Sequence, residues 1–277
     1  MNGIATPRPW LAVGTLCWRE IVRFLRQRNR VIGAVGQPIL FWLLFGAGLR
    51  KSFQLSAAGA SGQTFLEYYF PGSLMLVLMF TAIFATISII EDRREGFLQS
   101  VLVAPVPRWA MVLGKVLGGT LIALLQGLLF LLLALTLHIS FEPAGLLAIV
   151  LLLFLSALAL TSVGFVIAWR MESTQGFHAI MNLALMPMWM LSGAFWPIPA
   201  VTTASTMGEQ IMSWTMRLNP LTYGVAGLRH LLHAQPMPEG FYEPSSALCW
   251  TVTPLFAVIA FAAAWKIAEQ RTSGDLL

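Results

Sequence analysis

Residues 68–115 read YYFPGSLMLVLMFTAIFATISIIEDRREGFLQSVLVAPVPRWAMVLGK. The first 23 of these residues carry no charge, and five consecutive charged residues follow at 91–95. A helix rises about 1.5 Å per residue and the hydrocarbon core of a bilayer is about 30 Å thick, so an apolar run of about 20 residues can cross once. The stretch therefore predicts a membrane-spanning helix followed by a charged segment outside the hydrocarbon.

The rest of the chain repeats this apolar pattern. Hydrophobic residues make up 57% of the sequence, charged residues 10%, and the mean hydropathy is +0.76, which excludes an ordinary soluble domain. We predict an all-α integral membrane protein with six transmembrane helices in a single domain, residues 1–277. The predicted spans are 31–49, 68–90, 109–137, 144–169, 178–196 and 247–265. The uncharged part of the third span begins at Val116, just after Lys115.

The basic residues predict the orientation of these spans. Of the 17 Lys and Arg residues, 13 precede the first span, lie between the second and third, or follow the fourth and sixth. Cytoplasmic loops carry an excess of Lys and Arg, so we expect these segments, and both termini, in the cytoplasm. The net charge of +5 then reflects membrane topology, and no nucleic-acid partner is expected.

Residues 10–30 predict an amphipathic interfacial helix on the inner membrane face. Its basic stripe recurs at helical spacing and consists of Arg19, Arg23, Arg26 and Arg30. Its apolar side consists of Val13, Cys17, Ile21, Phe24 and Leu25. Two interpretations stay open: an anchor on anionic lipid, or an elbow that also contacts a cytoplasmic partner.

Residues 91–108 predict a short amphipathic helix across the cytoplasmic surface. The charged block comprises Glu91, Asp92, Arg93, Arg94 and Glu95, and the apolar face comprises Phe97, Leu98, Val101 and Leu102. Pro105 and Pro107 end the helix, because proline disfavours helix in the residue before it. Arg108 closes the segment. The alternative is a solvated connector that merely carries positive-inside charges.

The longest stretch between spans, 197–246, contains one further helical pattern. Asn219 and Pro220 resemble a helix cap and first turn, and Leu221, Val225 and Leu228 follow at helical spacing. We predict a helix at 219–232 that is external or re-entrant.

Several kinds of chemistry are missing from the sequence. Gly114 and Lys115 are followed by Val116 and lack the upstream glycine of a phosphate loop, so we expect no ATPase site and no enzyme activity in this chain. His230 and His233 lie one turn apart without a third metal ligand. None of the 12 acidic residues lies in a predicted span, which disfavours an ion-coupled carrier.

A pair of glycines and the two cysteines also allow structural predictions. Gly114 and Gly118 form a GxxxG pattern that predicts close helix packing. Cys17 and Cys249 are predicted on opposite sides of the membrane, so no intrachain disulfide is expected.

Over essentially its whole length the chain resembles the membrane subunit of type 2 ATP-binding cassette (ABC) exporters. The resemblance is carried by PGSLMLVLMF at 71–80, by residues 89–115, and by NPLTYGVAGLRHLL at 219–232. The middle segment is the most specific, because in that family it carries acidic residues, a glycine, a leucine, a proline and an arginine before a glycine-lysine pair.

The resemblance implies roles for individual segments. Residues 91–102, including Gly96, would form the coupling helix that docks on the ATPase, with Pro105 as its terminator. Arg108 and Lys115 would mark the basic re-entry into the third span. The segment 10–30 would be the connecting helix and 219–232 the outer re-entrant helix. Phe97 and Gln99 depart from the family pattern, which leaves the specificity for the partner ATPase open.

The resemblance also implies a function. The chain would be the permease of an ATP-driven exporter for an amphiphilic drug, lipid or glycan, in the plasma (inner) membrane. It would pair with a cytoplasmic ATPase subunit, which holds the ATP and Mg²⁺, and with a second permease copy, identical or related. The alternatives are an ATP-independent secondary carrier or channel, and an intramembrane enzyme such as an acyltransferase, for which no suitably spaced His or acidic pair is found.

Overall fold

The computed structural model describes residues 8–27, 65–137, 143–203, 205–232 and 240–270, with positions 32–33, 36, 39–40 and 42–44 between the first two ranges. The helices are α1 (Pro9–Arg26), α2 (Phe65–Arg94), α3 (Phe97–Val103), α4 (Arg108–Leu131), α5 (Pro143–Arg170), α6 (Thr174–Trp189), α7 (Met207–Leu218), α8 (Pro220–Leu232) and α9 (Ser246–Glu269). A 3₁₀ turn, Leu132–Leu137, continues α4, and a π-helical turn, Met190–Ala194, continues α6. Strand β1 (Ile198–Pro199) pairs antiparallel with β2 (Phe241–Tyr242).

Four of these helices are long and apolar enough to cross a bilayer. They cover Glu67–Arg94, Arg108–Leu135, Ala144–Arg170 and Ser246–Glu269, with mean hydropathies from 2.0 to 2.7. They coincide with the second, third, fourth and sixth predicted spans, which confirms an all-helical membrane protein with at least four candidate spans. Most of the predicted first span, 31–49, lies outside the described residues.

The fifth predicted span, 178–196, is not one continuous helix. The 16 residues of α6 extend for only about 24 Å. Gly193 then adopts a φ of 76°, which breaks the helix after the π-helical turn. The Tyr68 hydroxyl of α2 and the Arg229 guanidinium of α8 both donate to the Gly193 carbonyl, at 3.0 and 2.9 Å. The C-terminal end of this segment therefore bends into β1 and is held by two other helices.

Helix α2 occupies the centre of the bundle. In its apolar window 89% of the residues are buried, against 28% in α9, which lies at the periphery. A Cβ on Gly72 would lie 2.6 Å from the Cβ of Ala194, so the backbone of α2 approaches the π-helical turn directly. The Trp189 indole also donates to the Gly72 carbonyl at 2.8 Å. Small residues allow this close approach, as is typical of membrane helices.

The stretch 197–246 contains one predicted helix and one that was not predicted. The helix expected at 219–232 is confirmed as α8, and the Asn219 side chain accepts from the backbone N–H of Leu221 at 3.0 Å. Helix α7 precedes it and begins with a capping box in which Thr206 and Glu209 bond each other's backbone N–H. The Thr-x-x-Glu pattern at 206–209 is the sequence signal for this second helix, for which no prediction was made.

Helix α1 packs lengthwise against α4. The Trp10 and Trp109 rings are 5.3 Å apart, and Glu20, further along α1, contacts Gly118, further along α4. The two helices therefore run in the same direction. The close packing predicted for Gly114 and Gly118 is confirmed, with α1 as the neighbouring helix.

This contact predicts the effect of adding one methyl group. In a Gly118→Ala variant the new Cβ would lie 2.6 Å from the Cβ of Glu20 and 3.1 Å from the carbonyl oxygen of Cys17. Because neither atom can rotate away, α1 must shift, and overpacking of this kind typically costs about 1–3 kcal/mol. We expect a lower melting temperature for the purified variant in lipid nanodiscs.

Gly14→Ala provides the matched control on α1, since a Cβ there meets nothing within 4 Å. Alanine favours helix over glycine by about 0.5–1 kcal/mol, so this variant should melt slightly above the wild type. Equal melting temperatures for the two variants would contradict the close contact between α1 and α4.

Candidate functional site

A buried aspartate lies where three helices meet at the predicted cytoplasmic end of the bundle. Asp92, in the last turn of α2, has no exposed surface. Two guanidinium nitrogens of Arg19 donate to its two carboxylate oxygens, at 2.7 and 3.0 Å. Arg23, one turn further along α1, and Lys115 of α4 also donate to it. Three cations from two other helices therefore converge on one carboxylate.

A second buried carboxylate balances the lysine. The ammonium group of Lys115 lies 2.9 Å from the Glu20 carboxylate and also bonds Asp92. Both Lys115 and Glu20 are buried. A buried charge is tolerated when it is paired and hydrogen-bonded, and removing one partner typically costs about 3–5 kcal/mol.

The outer edge of this arrangement is more exposed. Arg23 donates to Glu91 at 2.8 Å and to Glu95 at 3.2 Å. We call the whole set the ion cluster; it consists of Arg19, Glu20, Arg23, Glu91, Asp92, Glu95 and Lys115. Its three cations face four carboxylates, so the charges nearly cancel. The cluster joins α1, the end of α2 and the start of α4.

The remaining two arginines of the charged block bind the end of α5. Arg93 donates to the carbonyls of Trp169 and Met171, at 2.5 and 3.0 Å, and Arg94 donates to the carbonyl of Glu172 at 3.0 Å. The last carbonyls of a helix have no partner within the helix and carry partial negative charge, so cations stabilise them. The end of α2 is thereby fixed to a fourth helix.

The predicted helix at 91–102 is divided in two. Residues 91–94 are the last turn of α2, Gly96 adopts a φ of 75°, and α3 begins at Phe97. A positive φ is favourable for glycine, which explains why the helix breaks there. Pro105 follows the end of α3, and Arg108 is the first residue of α4. We call residues 91–105 the bracket.

The apolar face of the bracket turns inward. The Arg19 guanidinium lies 3.7 Å above the Phe97 ring, a cation–π contact. Leu98 is buried, and Val101 and Leu102 pack half-buried against the core. The opposite face is open: Ser100 and Pro105 are exposed, and Val103 is 87% exposed. The bracket therefore has one side bonded to the bundle and one exposed side.

The structure brings many of the predicted residues together. Three acidic residues of the block 91–95 contact Arg19 and Arg23, the first two arginines of the α1 stripe, while Arg93 and Arg94 contact the end of α5. Arg26 is exposed, and Arg30 lies outside the described residues. His230 is 2.8 Å from the Pro244 carbonyl, while His233 also lies outside the described residues.

Glu20 was missed as a site residue, and Lys115 was not expected to bond Asp92. Glu20 is the single acidic residue among the arginines of α1, and it lies opposite Gly118 in the close contact between α1 and α4. That position in an otherwise basic helix was the available signal. Helix α1 bonds the bracket directly, a contact within the chain that neither interpretation of residues 10–30 included.

Comparisons with known proteins agree with this architecture. The family model for the ABC-2 type transporter matches residues 12–233, which include the ion cluster and the bracket. The putative transport permease ycf38 of Cyanophora paradoxa is 26% identical over 216 residues, 77% of this chain and 71% of that protein. Inner membrane transport permease YadH of Escherichia coli (strain K12) is 22% identical over 224 residues, 80% and 82% of the two chains. Nodulation protein J of Rhizobium meliloti (strain 1021) is 23% identical over 254 residues, 89% and 90%. The chain therefore belongs to the ABC-2 type transporter family, as a membrane permease.

Proposed function

We propose that this permease is the membrane subunit of an ATP-driven exporter and that the bracket docks on a separate cytoplasmic ATPase subunit. One observation carries the proposal: the bracket is bonded to three other helices on one side, while Ser100, Val103 and Pro105 are exposed on the other. A segment that transmits force from an ATPase to the spans must be fixed to the spans on one side and accessible to the ATPase on the other. The test is whether an acidic residue at Val103 releases an ATP-hydrolysing subunit during purification of the chain.

The contacts of the bracket suggest how motion would reach the spans. The ion cluster connects it to α1 and α4, and Arg93 and Arg94 connect it to the end of α5. A push on α3 would therefore displace these helices together, because packed elements move as rigid bodies between discrete arrangements. ATP and Mg²⁺ would bind on the partner and supply the energy. This chain would transmit the motion from the bracket to the spans.

Two exposed polar side chains on α6 support a second permease copy. Helix α6 buries one narrow stripe and exposes His178, Asn182 and Leu183, the last at 80%. An amide side chain in contact with lipid tails is costly, because nothing there can hydrogen-bond it. We infer that this face meets an identical or related permease, with which it walls the substrate path.

We further propose the location and the class of substrate. The name of the Escherichia coli relative places that protein in the inner membrane, which favours the same location here. The four candidate spans have mean hydropathies of 2.0 or more. The polar side chains within them include uncharged groups such as Thr81 and Gln126, which form a buried hydrogen bond with each other. An amphiphilic drug, a lipid or a lipid-carried glycan suits such a path better than an ion.

The proposed orientation, with both termini cytoplasmic, predicts which surface sites react with an impermeant thiol reagent. The natural cysteines are poor reporters: Cys249 is buried, and burial raises the pKa of the Cys17 thiol, which the nearby Glu20 carboxylate raises further. Single cysteines at Val103 and Thr203, both exposed, are better placed in a Cys17→Ser, Cys249→Ser background. On intact cells, Thr203→Cys should be labelled and Val103→Cys should not.

Permeabilised cells serve as the control, because both introduced cysteines should then react to the same extent. Labelling of Val103→Cys from outside the intact cell would reverse the proposed orientation and would place the bracket away from any cytoplasmic ATPase.

A further inference from the structure

Two sizeable cavities adjoin the C-terminal end of α1. An apolar groove of about 260 Å³ lies between α1 and α4, and Leu25, Leu125 and Leu129 are among its lining residues. An open cleft of about 510 Å³ lies on another side of α1 and is lined by Arg19 and Arg26, among others. Both are larger than the apolar cavity of about 150 Å³ that holds benzene in an engineered protein. Each therefore has room for part of a ligand.

A narrow third cavity lies between the groove and the cleft. It shares Arg23 and Gln27 with the cleft, and it shares Phe24 and Ile122 with the groove. Three of these four residues belong to the last turn of α1 or directly follow it, and the fourth faces them from α4. The basic side of α1 thus continues around the end of the helix into the apolar groove.

The cleft presents one arginine that the ion cluster does not use. Arg19 and Arg23 bond the cluster, but Arg26 is exposed and pairs with no carboxylate in the part of the chain that the structure describes. Glu95 contributes a carboxylate to the lining and bonds Arg23. On the cytoplasmic side of a membrane, grouped arginines attract anionic headgroups. The cleft therefore favours a negatively charged group beside Arg26.

Two glutamines beside these cavities have hydrogen-bonding capacity left over. Gln126 is 3% exposed and lines the groove, and among the described residues its amide has one partner, the Thr81 hydroxyl. Gln27 lines both the cleft and the narrow cavity, and its buried Oε1 has no partner there. Polar groups away from water are costly unless they are hydrogen-bonded. A ligand that satisfies both glutamines needs a donor near the cleft and an acceptor in the groove.

The groove lies within the third candidate span. Residues 116–131 of α4 carry no charge, and the lining residues Leu125 and Leu129 are about half exposed. Gln126 follows Lys115, the last charged residue of α4, by 11 positions, which is about 16 Å along the helix. The hydrocarbon part of a ligand is therefore favoured in the groove, and its charged part is favoured at the end of α1.

We propose that the end of α1 binds one phosphatidylglycerol molecule of the inner leaflet, with the phosphate at Arg26 and an acyl chain in the groove. The chemistry matches the lining: the headgroup hydroxyls donate to Gln27, and the ester carbonyls accept from the Gln126 amide. The chain packs on Leu125 and Leu129. The inference goes beyond ATPase coupling and depends only on the cytoplasmic placement of the start of α1.

Binding at this position is connected to the bracket. Arg23, which lines both the cleft and the narrow cavity, donates to Glu91 and Glu95 at 2.8 and 3.2 Å. A phosphate beside it competes with Glu95, whose side chain is 59% exposed, more readily than with the buried Asp92. The lipid is therefore placed to act on the outer edge of the ion cluster.

The test is native mass spectrometry of the full chain, purified in detergent and titrated with phosphatidylglycerol or with phosphatidylethanolamine. The first phosphatidylglycerol should bind at least about tenfold more tightly than the first phosphatidylethanolamine, because only its headgroup carries a net negative charge for Arg26. Arg26→Gln should remove this preference. Arg8→Gln is the matched control, since it removes the same charge at an exposed position before the start of α1, and it should keep the preference.

A second pair of variants tests the groove. Leu125→Trp fills it and should weaken the binding of phosphatidylglycerol. Leu132→Trp adds the same bulk at an exposed position beyond the groove and should leave the binding unchanged. Both positions are more than half exposed, so neither change disturbs the core.

Three results would overturn the proposal. Equal losses in Arg26→Gln and Arg8→Gln would mean that the lipid responds only to the general charge of α1. Unchanged binding in Leu125→Trp would mean that no chain enters the groove. If Arg26→Gln keeps the lipid preference but loses the ATP hydrolysis recovered on purification, the cleft binds acidic residues of the ATPase instead. The lipid titrations use the permease alone, so the coupling proposal is tested separately.

Discussion

The Asp92→Asn variant is expected to lose about 3–5 kcal/mol of folding stability, although asparagine and aspartate have nearly the same size. Asp92 has no exposed surface and faces Arg19, Arg23 and Lys115. A neutral amide would leave the buried lysine with Glu20 alone and would turn an N–H donor towards three cations. The measurement is the melting temperature of the purified protein in nanodiscs, together with the amount inserted in the membrane.

Glu95→Gln is the matched control for this loss of one charge. The Glu95 side chain is 59% exposed and has one contact with Arg23, at 3.2 Å. Exposed ion pairs contribute about 0–1 kcal/mol, so this variant should melt close to the wild type. If Asp92→Asn and Glu95→Gln have the same melting temperature, the ion cluster does not stabilise the bundle.

A double variant tests whether the loss of stability comes from the unpaired charge of Lys115. Adding Lys115→Met to Asp92→Asn removes the cation that the first change leaves underpaired. The remaining pairs of Arg19 with Glu20 and of Arg23 with Glu91 are balanced. We expect the double variant to be less destabilised than the sum of its two single variants, which is the sign of a direct interaction.

The sequence predicted those spans that can be identified from the composition of a single segment. Long apolar windows identify α2, α4, α5 and α9 because transfer to lipid depends on each segment by itself. It did not predict the bend in α6, which comes from the positive φ of Gly193 and its bonds to Tyr68 and Arg229. Nothing in the local pattern around residue 193 distinguishes such a break from an ordinary glycine in a span.

The candidate site was predicted in its parts but not in its pairings. The block 91–95 and the arginine stripe of α1 were both recognised, yet Arg19 and Asp92 are 73 residues apart, and hydrophobic periodicity carries no information about such contacts. As a result, a charged block that looks solvated in sequence contains a fully buried aspartate. The available clues were the lone Glu20 in a basic helix and Gly118, which faces it.

The same limitation applies to the apolar face of the bracket. Phe97 and Val101 pack half-buried against the permease itself, and Phe97 lies under Arg19. An amphipathic helix buries its apolar face against whichever surface is nearest, and periodicity cannot say which one that is. The face that remains available for an ATPase is the one around Ser100, Val103 and Pro105.

This geometry gives the sharpest test of coupling. The Val103→Asp variant should insert and melt like the wild type, because the side chain is 87% exposed and touches little of the bundle. It should nevertheless bind the ATPase at least about tenfold more weakly, since a charge placed in a desolvated contact commonly costs more than 1–2 kcal/mol of association. The measurement is ATP hydrolysis recovered with the tagged permease on purification, alongside export in the same cells.

Thr203→Asp is the control, because it places the same charge at another exposed position, on the proposed outer face. It should retain both the ATPase and export, so a loss confined to Val103→Asp assigns the docking surface to α3. Recovery of full ATPase activity with Val103→Asp, in protein that exports normally, would mean that the bracket is only a connector. The exposed Arg26 and Glu172 would then be the next surfaces to probe, since α1 and the end of α5 reach the same side of the bundle through the ion cluster and through Arg94.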